Sequence, residues 1–346
     1  MLYSLDEICL LPTSVSDVEH RKDVVVFDNH NKFPLFTSPM SCIVDEHNYS
    51  KFVDHNINAI IPRTVDWLTR VNMIIDGCWV AVGLKEAQWV LDAAIIPKDK
   101  IRLCIDQANG HMSSLLKLCS QLKDRFDDKI RIMTGNIAHW SAYREYARAG
   151  VDFVRCAVGT GSCCTTSVQT GMHCPMGSLI IKCREEKQYI EKSITLGAKF
   201  RSVPRIVADG GFKRIDQVVK ALALGADYVM LGEVLAQSEE ACGKTKKSFD
   251  GFKDINMREY FGMSTEKAQI LVNAASPFKV ENFVPKHSEG QVRYVEIKYK
   301  LTDWLADFEH ALRSSMSYAG ARTLEKYKGY VNWDIMTPVT YNAYMK

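Results

Sequence analysis

Eight short runs of β-branched and other apolar residues recur along the chain, most of them about 20 to 30 residues apart. They lie at residues 34–39, 57–62, 79–83, 101–105, 130–134, 153–158, 205–208 and 228–231. Intervening segments such as 113–125, 141–149 and 215–224 place apolar residues at helical spacing. This alternation predicts an α/β fold with parallel strands, either a closed TIM (β/α)8 barrel or an open doubly wound sheet.

Polar and glycine-rich stretches follow six of the runs, where a barrel carries its active site. They are Ser38-Pro39-Met40, residues 106–110, Gly135-Asn136, residues 159–166, Asp209-Gly210-Gly211 and Gly232-Glu233. This placement favours the TIM barrel, as one domain over residues 1–346. The mixed stretch at about 265–290 predicts a mobile flap over the barrel mouth, and residues 301–318 predict the last helix.

Composition and charge exclude several classes of protein. The net charge is +3 and no basic block stands out, so nucleic acid is not the expected partner. No apolar run has the length of about 18 to 20 residues that a membrane span needs, and Asp6 and Glu7 make the first residues unlike a signal peptide. Eleven cysteines without an export signal predict free thiols in the cytoplasm, without a structural zinc site.

The loop at residues 159–166 carries the strongest chemical signal. Gly159 and Gly161 permit positive φ and close backbone approach. A turn of this kind can direct carbonyls toward a monovalent cation or amides toward a phosphate. Cys164 lies on the same loop, where a thiolate could attack an electrophilic carbon; the alternative is an inert, buried thiol. For Cys163 we expect a structural role.

Two further strand ends indicate a nucleotide. Asp209 could accept hydrogen bonds from both hydroxyls of a ribose, with free amides following at Gly210 and Gly211; the alternative is a plain turn. Gly232-Glu233 opens a helix where barrels often bind phosphate, although a simple helix cap would have the same sequence.

In this order, the motifs resemble those of the IMP dehydrogenase and GMP reductase family, and they extend from residue 6 to about 322. The matching pieces are Ser38-Pro39-Met40, residues 106–110, Gly135-Asn136, residues 159–166, 208–211, 221–226, 262–264, 288–290 and 312–314. The resemblance implies a TIM barrel in which Cys164 attacks C2 of a purine mononucleotide and Thr166 handles a proton. It also implies a homotetramer.

The same resemblance assigns the binding residues. Substrate would be held by Ser162, Asp209, Gly210, Gly211, Gly232, Glu233, Gly262, Met263, Ser264, Lys286 and Gly290. A nicotinamide cofactor would lie near Arg63, Asp106, Gln107, Ala108, Val158 and Gly159, with Ser314, Ser315 and Ser317 reaching in from a neighbouring subunit. Potassium would be bound by carbonyls of Gly159, Gly161 and Cys164.

Two features favour the reductase within this family. No Arg lies between Ser264 and Glu289, so the Arg-Tyr pair that activates water in the dehydrogenase flap is missing; Arg293-Tyr294 falls later, on a predicted strand. Only about 16 residues separate the second and third strands, too few for the inserted regulatory domain of most dehydrogenases. We expect NADPH-dependent reductive deamination of GMP, or of a related guanine nucleotide, to IMP and ammonia.

In that reaction a covalent bond joins Cys164 to the purine, and Glu289 with Thr166 supplies the proton for the departing amine. The alternatives are an IMP dehydrogenase that oxidises IMP to XMP with NAD, a catalytically silent purine-nucleotide regulator, or a flavin-dependent barrel.

Several positions depart from the family pattern. Glu233 replaces a Gly or Ser beside the expected phosphate, Ser167 replaces an Arg, and Ser41 replaces an Asp. Pro285-Lys286 stands where reductase flaps have Tyr-Arg, and Arg63 stands in place of a Lys. We expect Glu233 to point outward along its helix; pairing with a cation such as Lys286, or a ligand without an ordinary phosphate, are the alternatives.

Overall fold

The computed structural model describes residues 1–93, 95–249, 251 and 254–344. Its centre is an eight-stranded parallel sheet. In chain order the strands are β1 (Leu35–Thr37), β2 (Ile60–Ile61), β3 (Trp79–Val82), β4 (Ile101–Asp106), β5 (Ile130–Ile137), β6 (Phe153–Cys156), β7 (Arg205–Asp209) and β8 (Tyr228–Leu231). Each predicted apolar run coincides with one of them, although β4, β5 and β7 extend one to three residues beyond their runs.

The sheet closes on itself. Strand β1 pairs with β8, with Leu35 opposite Val229. On its other side, the Thr37 amide donates to the Asn58 carbonyl at 2.9 Å and the Asn58 amide donates to the Leu35 carbonyl at 3.1 Å, which joins β1 to the segment that leads into β2. The TIM barrel is therefore confirmed, and the open sheet is excluded.

Helices surround the barrel. Between β1 and β8 they are Tyr49–Asp54, Trp67–Ile75, Leu84–Asp92, Ser113–Phe126, Ala142–Ala149, Thr166–Thr170, Met176–Thr195 and Ile215–Leu224, and after β8 they are Glu233–Ala236, Glu266–Ala275, Leu301–Tyr318, Leu324–Tyr327 and Pro338–Tyr344. Short 3-10 turns lie at Leu5–Glu7, Arg21–Asp23 and Asp127–Lys129. None of the helices in the described ranges combines the length and apolar character that crossing a membrane requires.

The barrel interior is filled by side chains that alternate with those facing the helices. Near the amino ends of the strands, Phe36 packs edge-on against Trp79, Phe153 and Tyr228, with ring centroids 5.1–5.8 Å apart. Edge-to-face contacts of this kind stabilise an aromatic cluster beyond the area that it buries. This layer closes the bottom of the barrel and leaves the polar chemistry at the opposite end.

Two small antiparallel sheets accompany the barrel, and the sequence interpretation missed both. One pairs Ile8–Leu11 with Asn332–Ile335. The other has three strands, Thr245–Phe249, Asp254–Phe261 and Val292–Glu296; only the last was predicted, from Arg293-Tyr294.

The flap at 265–290 is also more regular than expected, because it contains the helix Glu266–Ala275. The Thr265 hydroxyl caps that helix by accepting from the Ala268 amide at 3.2 Å.

Candidate active site

Cys164 lies on the loop after β6, within a short chain of hydrogen bonds. Its thiol donates to the Thr166 hydroxyl at 3.2 Å, and that hydroxyl donates to the Glu289 carboxylate at 2.5 Å. All three residues are half-buried. The arrangement joins a nucleophilic thiol to a carboxylate through one hydroxyl, so a proton can move between them without bulk water.

Backbone pairing holds the carboxylate in place. Cys164 and Gly290 form an antiparallel bridge, the Thr165 amide donates to the Glu289 carbonyl, and the Gln291 amide donates to the Cys163 carbonyl, both at 2.9 Å. A Cβ on Gly290 would lie 3.0 Å from the Ser264 hydroxyl. The end of the flap is therefore hydrogen-bonded to the cysteine loop. This pairing places five predicted residues close together: Cys164, Thr166, Glu289, Gly290 and Ser264.

Cys163 has the structural role expected of it. It is 5% exposed and packs in the core. Burial raises the pKa of its thiol to about 11, so it is protonated at neutral pH. The two neighbouring cysteines differ because the loop turns one side chain into the core and the other toward the barrel mouth.

The sequence interpretation missed Arg155, which links both ends of the site. Its guanidinium bonds Asp106 at 2.7 Å and Asp209 at 2.8 and 3.0 Å, and the Asn136 amide also donates to Asp209, at 2.7 Å. The network spans the carboxyl ends of β4, β5, β6 and β7. Its signal was a lone Arg inside the apolar run of β6.

The charges of this network favour its ionised form. Burial acts to lower the pKa of Arg155, but the negative charges of Asp209 and Asp106 outweigh that effect and raise the pKa above its usual value. All three bonds to Asp209 end on Oδ2. Among the described residues no hydrogen bond engages its Oδ1, which leaves that oxygen to accept from a ligand.

Two loops form the side of the site that is predicted to bind the nucleotide. Gly210 and Gly211 have φ of +81° and +85°, and a Cβ on Gly211 would lie 2.7 Å from the Thr160 carbonyl, so the two turns fit together only without side chains there. A cavity of about 420 Å³ lies beside them, lined in part by Gly159, Thr160 and Ser167.

Tyr260 is a second residue that the sequence interpretation missed. It is 4% exposed, its hydroxyl lies beside Ser162, and a Cβ on Gly232 would lie 2.7 Å from that oxygen. Burial raises its pKa, so it remains a neutral phenol. Ser162, Gly232 and Tyr260 therefore meet at one point, each with a group that can donate a hydrogen bond.

The structure corrects the expectation for Glu233. Its side chain is 16% exposed and is ion-paired with Arg293, so it neither points outward nor pairs with Lys286. Arg293 also lies over the Tyr260 ring, 5.5 Å from its centroid. Lys286 is an exposed flap residue whose amide and carbonyl are held by the side chain of Gln269. Arg293 is the third residue that was missed.

The remaining residues that were predicted to bind substrate lie on the segment that leads into the flap. Gly262 follows the strand Asp254–Phe261, and a Cβ on it would meet open space. Its carbonyl accepts from the Thr265 hydroxyl at 2.8 Å. Met263 is half-buried against the core.

In the loop predicted to bind potassium, the Gly159 and Gly161 carbonyls already accept hydrogen bonds from the protein. The Gly159 carbonyl accepts from the Ser167 hydroxyl at 3.3 Å, and the Gly161 carbonyl accepts from the Cys164 amide at 2.9 Å. Each carbonyl oxygen keeps a second lone pair. Over the described parts of the chain, no cluster of three or more His, Cys, Asp or Glu is placed to bind a metal ion.

The predicted cofactor residues fall into two groups. Asp106, Gln107 and Ala108 follow β4, Val158 and Gly159 follow β6, and Arg63 follows β2 with its Nε 3.7 Å from Glu86. These six lie around the barrel mouth.

Ser314, Ser315 and Ser317 belong instead to the helix Leu301–Tyr318. Ser315 bonds Tyr327 at 2.7 Å and Ser317 bonds the Val18 carbonyl at 3.4 Å. Within one chain these serines are not joined to the cysteine loop, and their role in a neighbouring subunit stays a prediction.

Comparison with known proteins agrees with this geometry. The model of a family described as "IMP dehydrogenase / GMP reductase domain" matches residues 77–342. The chain belongs to this family. The predicted membership is thereby confirmed, and the cysteine loop, the Asp209-Gly210-Gly211 turn and Glu289 all fall inside the matched residues.

Relatives of both activities are similar to the chain. A GMP reductase of Oceanobacillus iheyensis is 27% identical over 94% of this chain and 93% of that protein. A GMP reductase of Aliivibrio fischeri is 31% identical over 79% of this chain and 75% of its own length. An inosine-5'-monophosphate dehydrogenase of Chlorobaculum tepidum is 29% identical over 72% of this chain, but the match spans only 48% of that protein.

Proposed function

We propose that the chain is a GMP reductase, which converts GMP or a closely related guanine nucleotide to IMP and ammonia with NADPH. The observation that carries this proposal is the chain of hydrogen bonds from Cys164 through Thr166 to Glu289, at 3.2 and 2.5 Å. It supplies a nucleophile and a proton donor next to each other at the barrel mouth.

The residues divide the first half of the reaction between them. The Cys164 thiol passes its proton to Glu289 through Thr166, and the thiolate adds to C2 of the guanine. The same carboxyl returns a proton to the 2-amino group, which leaves as ammonia, while the bond from sulfur to C2 remains. Thr166 serves both transfers because its hydroxyl both accepts and donates.

NADPH supplies, when bound, the hydride that replaces the sulfur at C2 and so releases IMP. The protein would bind the cofactor on the side of the purine opposite the Cys164 thiol. Asp106, fixed by Arg155 at 2.7 Å, offers a carboxylate to a ribose. Arg63 follows β2 at the same mouth, with its Nε 3.7 Å from the Glu86 carboxylate.

The nucleotide is held at the other end of the same network. Asp209 presents Oδ1 to the ribose hydroxyls, while the Gly211 amide with Ser162 and Tyr260 surrounds the 5′-phosphate. The Gly210 amide, which we expected to be free, donates instead to the Met230 carbonyl at 3.4 Å. Potassium bound by carbonyls of Gly159, Gly161 and Cys164, and a tetramer that brings in Ser314, Ser315 and Ser317, complete the proposal.

The flap supports the reductase over the dehydrogenase. Dehydrogenation needs a base that activates water, and residues 265–288 contain no Arg. Arg293 lies on the strand Val292–Glu296 and is engaged with Glu233, so it is not free to act as that base. The reductase needs no such group because ammonia leaves instead of water entering.

The test is a panel of purine nucleotides assayed with NADPH and NADH by loss of nicotinamide absorbance. We expect turnover of GMP with NADPH, and none above background for Cys164→Ala, which should still bind GMP. Cys163→Ala is the matched control and should keep most of the activity. Robust oxidation of IMP to XMP with NAD would reassign the chain to the dehydrogenases, and absence of turnover with any pair would favour a regulator.

A further inference from the structure

A second cavity, of about 360 Å³, lies at the opposite end of the barrel from Cys164. It is bordered by Arg205 and Tyr228, the first residues of β7 and β8. Its other walls come from the helix Met176–Thr195 and from the segment after Leu324–Tyr327, which contribute Arg184, Lys187 and Lys328. Its size falls in the range of roughly 300–1,000 Å³ that is usual for small-molecule sites.

The acidic groups deep in this cavity already have partners. Asp227 accepts from Lys187 at 2.8 Å and from the Ile206 amide at 2.8 Å. Asp28 accepts from the Tyr228 hydroxyl at 2.8 Å and from the amides of its own turn, at His30 and Lys32. Asp227 is therefore neutralised by Lys187, whereas the oxygens of Asp28 are occupied by neutral donors.

Three cationic side chains that line the cavity lack such a partner. Within the described residues, neither Arg184, Arg205 nor Lys328 forms a salt bridge, and Arg205 donates only to the Tyr228 hydroxyl, at 3.1 Å. Other acids of the wall, Glu191 and Glu325, are exposed at its rim. Among the described residues, none of the three cations therefore has a carboxylate within 4.0 Å.

The cations are held close together rather than dispersed into solvent. Arg205 and Lys328 both lie over the Tyr228 ring, 5.8 and 5.4 Å from its centroid. Arg184 is packed between Gly225 and Gly329, where a Cβ on Gly225 would lie 2.7 Å from its Cδ. Burial lowers the pKa of Lys328 and of Arg184. At Lys328 the charge of Asp227 acts against this lowering, and the charge of Lys187 acts with it.

The geometry points to a binding site for a small phosphorylated molecule, with its phosphate held by Arg184, Arg205 and Lys328. Guanidinium groups suit phosphate because their paired N–H groups match two of its oxygens. The exposed ring of Tyr330, 5.5 Å from the Arg184 guanidinium, offers a flat surface to the organic part. The cavity is large enough for more than the phosphate group itself.

Binding can be measured by titration calorimetry at low salt with three probes: inorganic phosphate, AMP and adenosine. The variants are Lys328→Met and Arg184→Gln, and the matched control is Lys326→Gln, an exposed cation on the neighbouring short helix. We expect wild type and control to show one class of phosphate-dependent sites that both variants weaken at least tenfold. Other binding, including that at the cysteine site, should be unchanged in the variants.

The probes distinguish the possible ligands. Equal affinity for phosphate and AMP would assign the site to free phosphate, tighter binding of AMP supports the phosphorylated molecule, and binding of adenosine that equals AMP would overturn the proposal. Identical titrations of wild type and both variants would also overturn it.

Stability provides a second readout. A cation kept for a ligand and not for the fold is costly to bury, so Lys328→Met should melt at the same temperature as wild type or higher. A clear fall in its melting temperature would show that Lys328 has a structural role and would also overturn the assignment.

Discussion

Replacing Arg293 by Gln should expose the 5′-phosphate to the uncompensated charge of Glu233. In the folded protein the two side chains are ion-paired beside Tyr260, and Glu233 directly follows Gly232 at the phosphate end of the site. The variant keeps Glu233 largely buried but removes its counter-charge. Binding of GMP should therefore weaken, and the cause is repulsion, not a lost contact.

The size of the effect follows from Coulomb's law. At an effective dielectric constant of about 20, a carboxylate about 6 Å from one phosphate charge costs about 2.8 kcal/mol. The Arg293 side chain is 37% exposed, so solvent screens part of this repulsion. We take the screened repulsion as about half, or about 1.4 kcal/mol. That corresponds to about a tenfold rise in the dissociation constant of GMP.

Titration calorimetry with GMP, supported by the KM in the absorbance assay, measures this rise. Lys298→Gln, which removes an exposed cation nearby, is the control and should bind GMP normally. The double variant Arg293→Gln, Glu233→Gln should recover most of the wild-type affinity. If the double variant binds as weakly as Arg293→Gln, or if guanosine weakens as much as GMP, charge repulsion at the phosphate is not the explanation.

Three further outcomes are expected. Glu289→Gln should slow turnover of GMP at least tenfold in a stopped-flow assay, since an amide cannot relay the proton, whereas Glu281→Gln, an exposed flap acid, should not. Arg155→Met should lower the free energy of unfolding in urea by about 3–5 kcal/mol because it leaves two buried carboxylates unpaired; a loss below 1 kcal/mol would contradict this. Burial raises the pKa of Glu86, but Arg70 outweighs it and holds that pKa below 4.5. Wild-type stability should therefore fall as the pH drops below about 4.5, and less steeply in Glu86→Gln.

The barrel was predictable from the sequence because its strands are buried on both faces. Such strands read as continuous apolar runs, and each of the eight runs coincides with a strand. The small antiparallel sheets lacked this signal. Residues 245–249 are largely exposed and rich in Lys, and their strand is stabilised by pairing with Asp254–Phe261, a tertiary effect that local pattern does not reveal.

The site residues at the strand ends could be predicted from the sequence. Those whose side chains extend into the site from elsewhere in the fold could not. Cys164, Asp209 and the glycines lie on loops at strand ends, a position that sequence alone can assign. Tyr260 and Arg293 reach the site from a three-stranded sheet outside the barrel. The sequence contains no pattern that would indicate that this sheet packs near the carboxyl ends of the barrel strands.

The ion pair of Glu233 and Arg293 also connects the helix that begins at Glu233 to the strand that follows Glu289. Arg293 lies four residues beyond Glu289, on the strand Val292–Glu296, and the segment between them is the one paired with Cys163 and Cys164. The contact that neutralises Glu233 therefore also anchors the strand that carries the proton donor toward the thiol. Loss of this ion pair should lower kcat as well as raise KM, whereas a pure phosphate contact would change KM alone. Because the double variant restores charge balance but not the anchor, its KM should recover while its kcat stays low, and that split separates the electrostatic role of the pair from its positioning role.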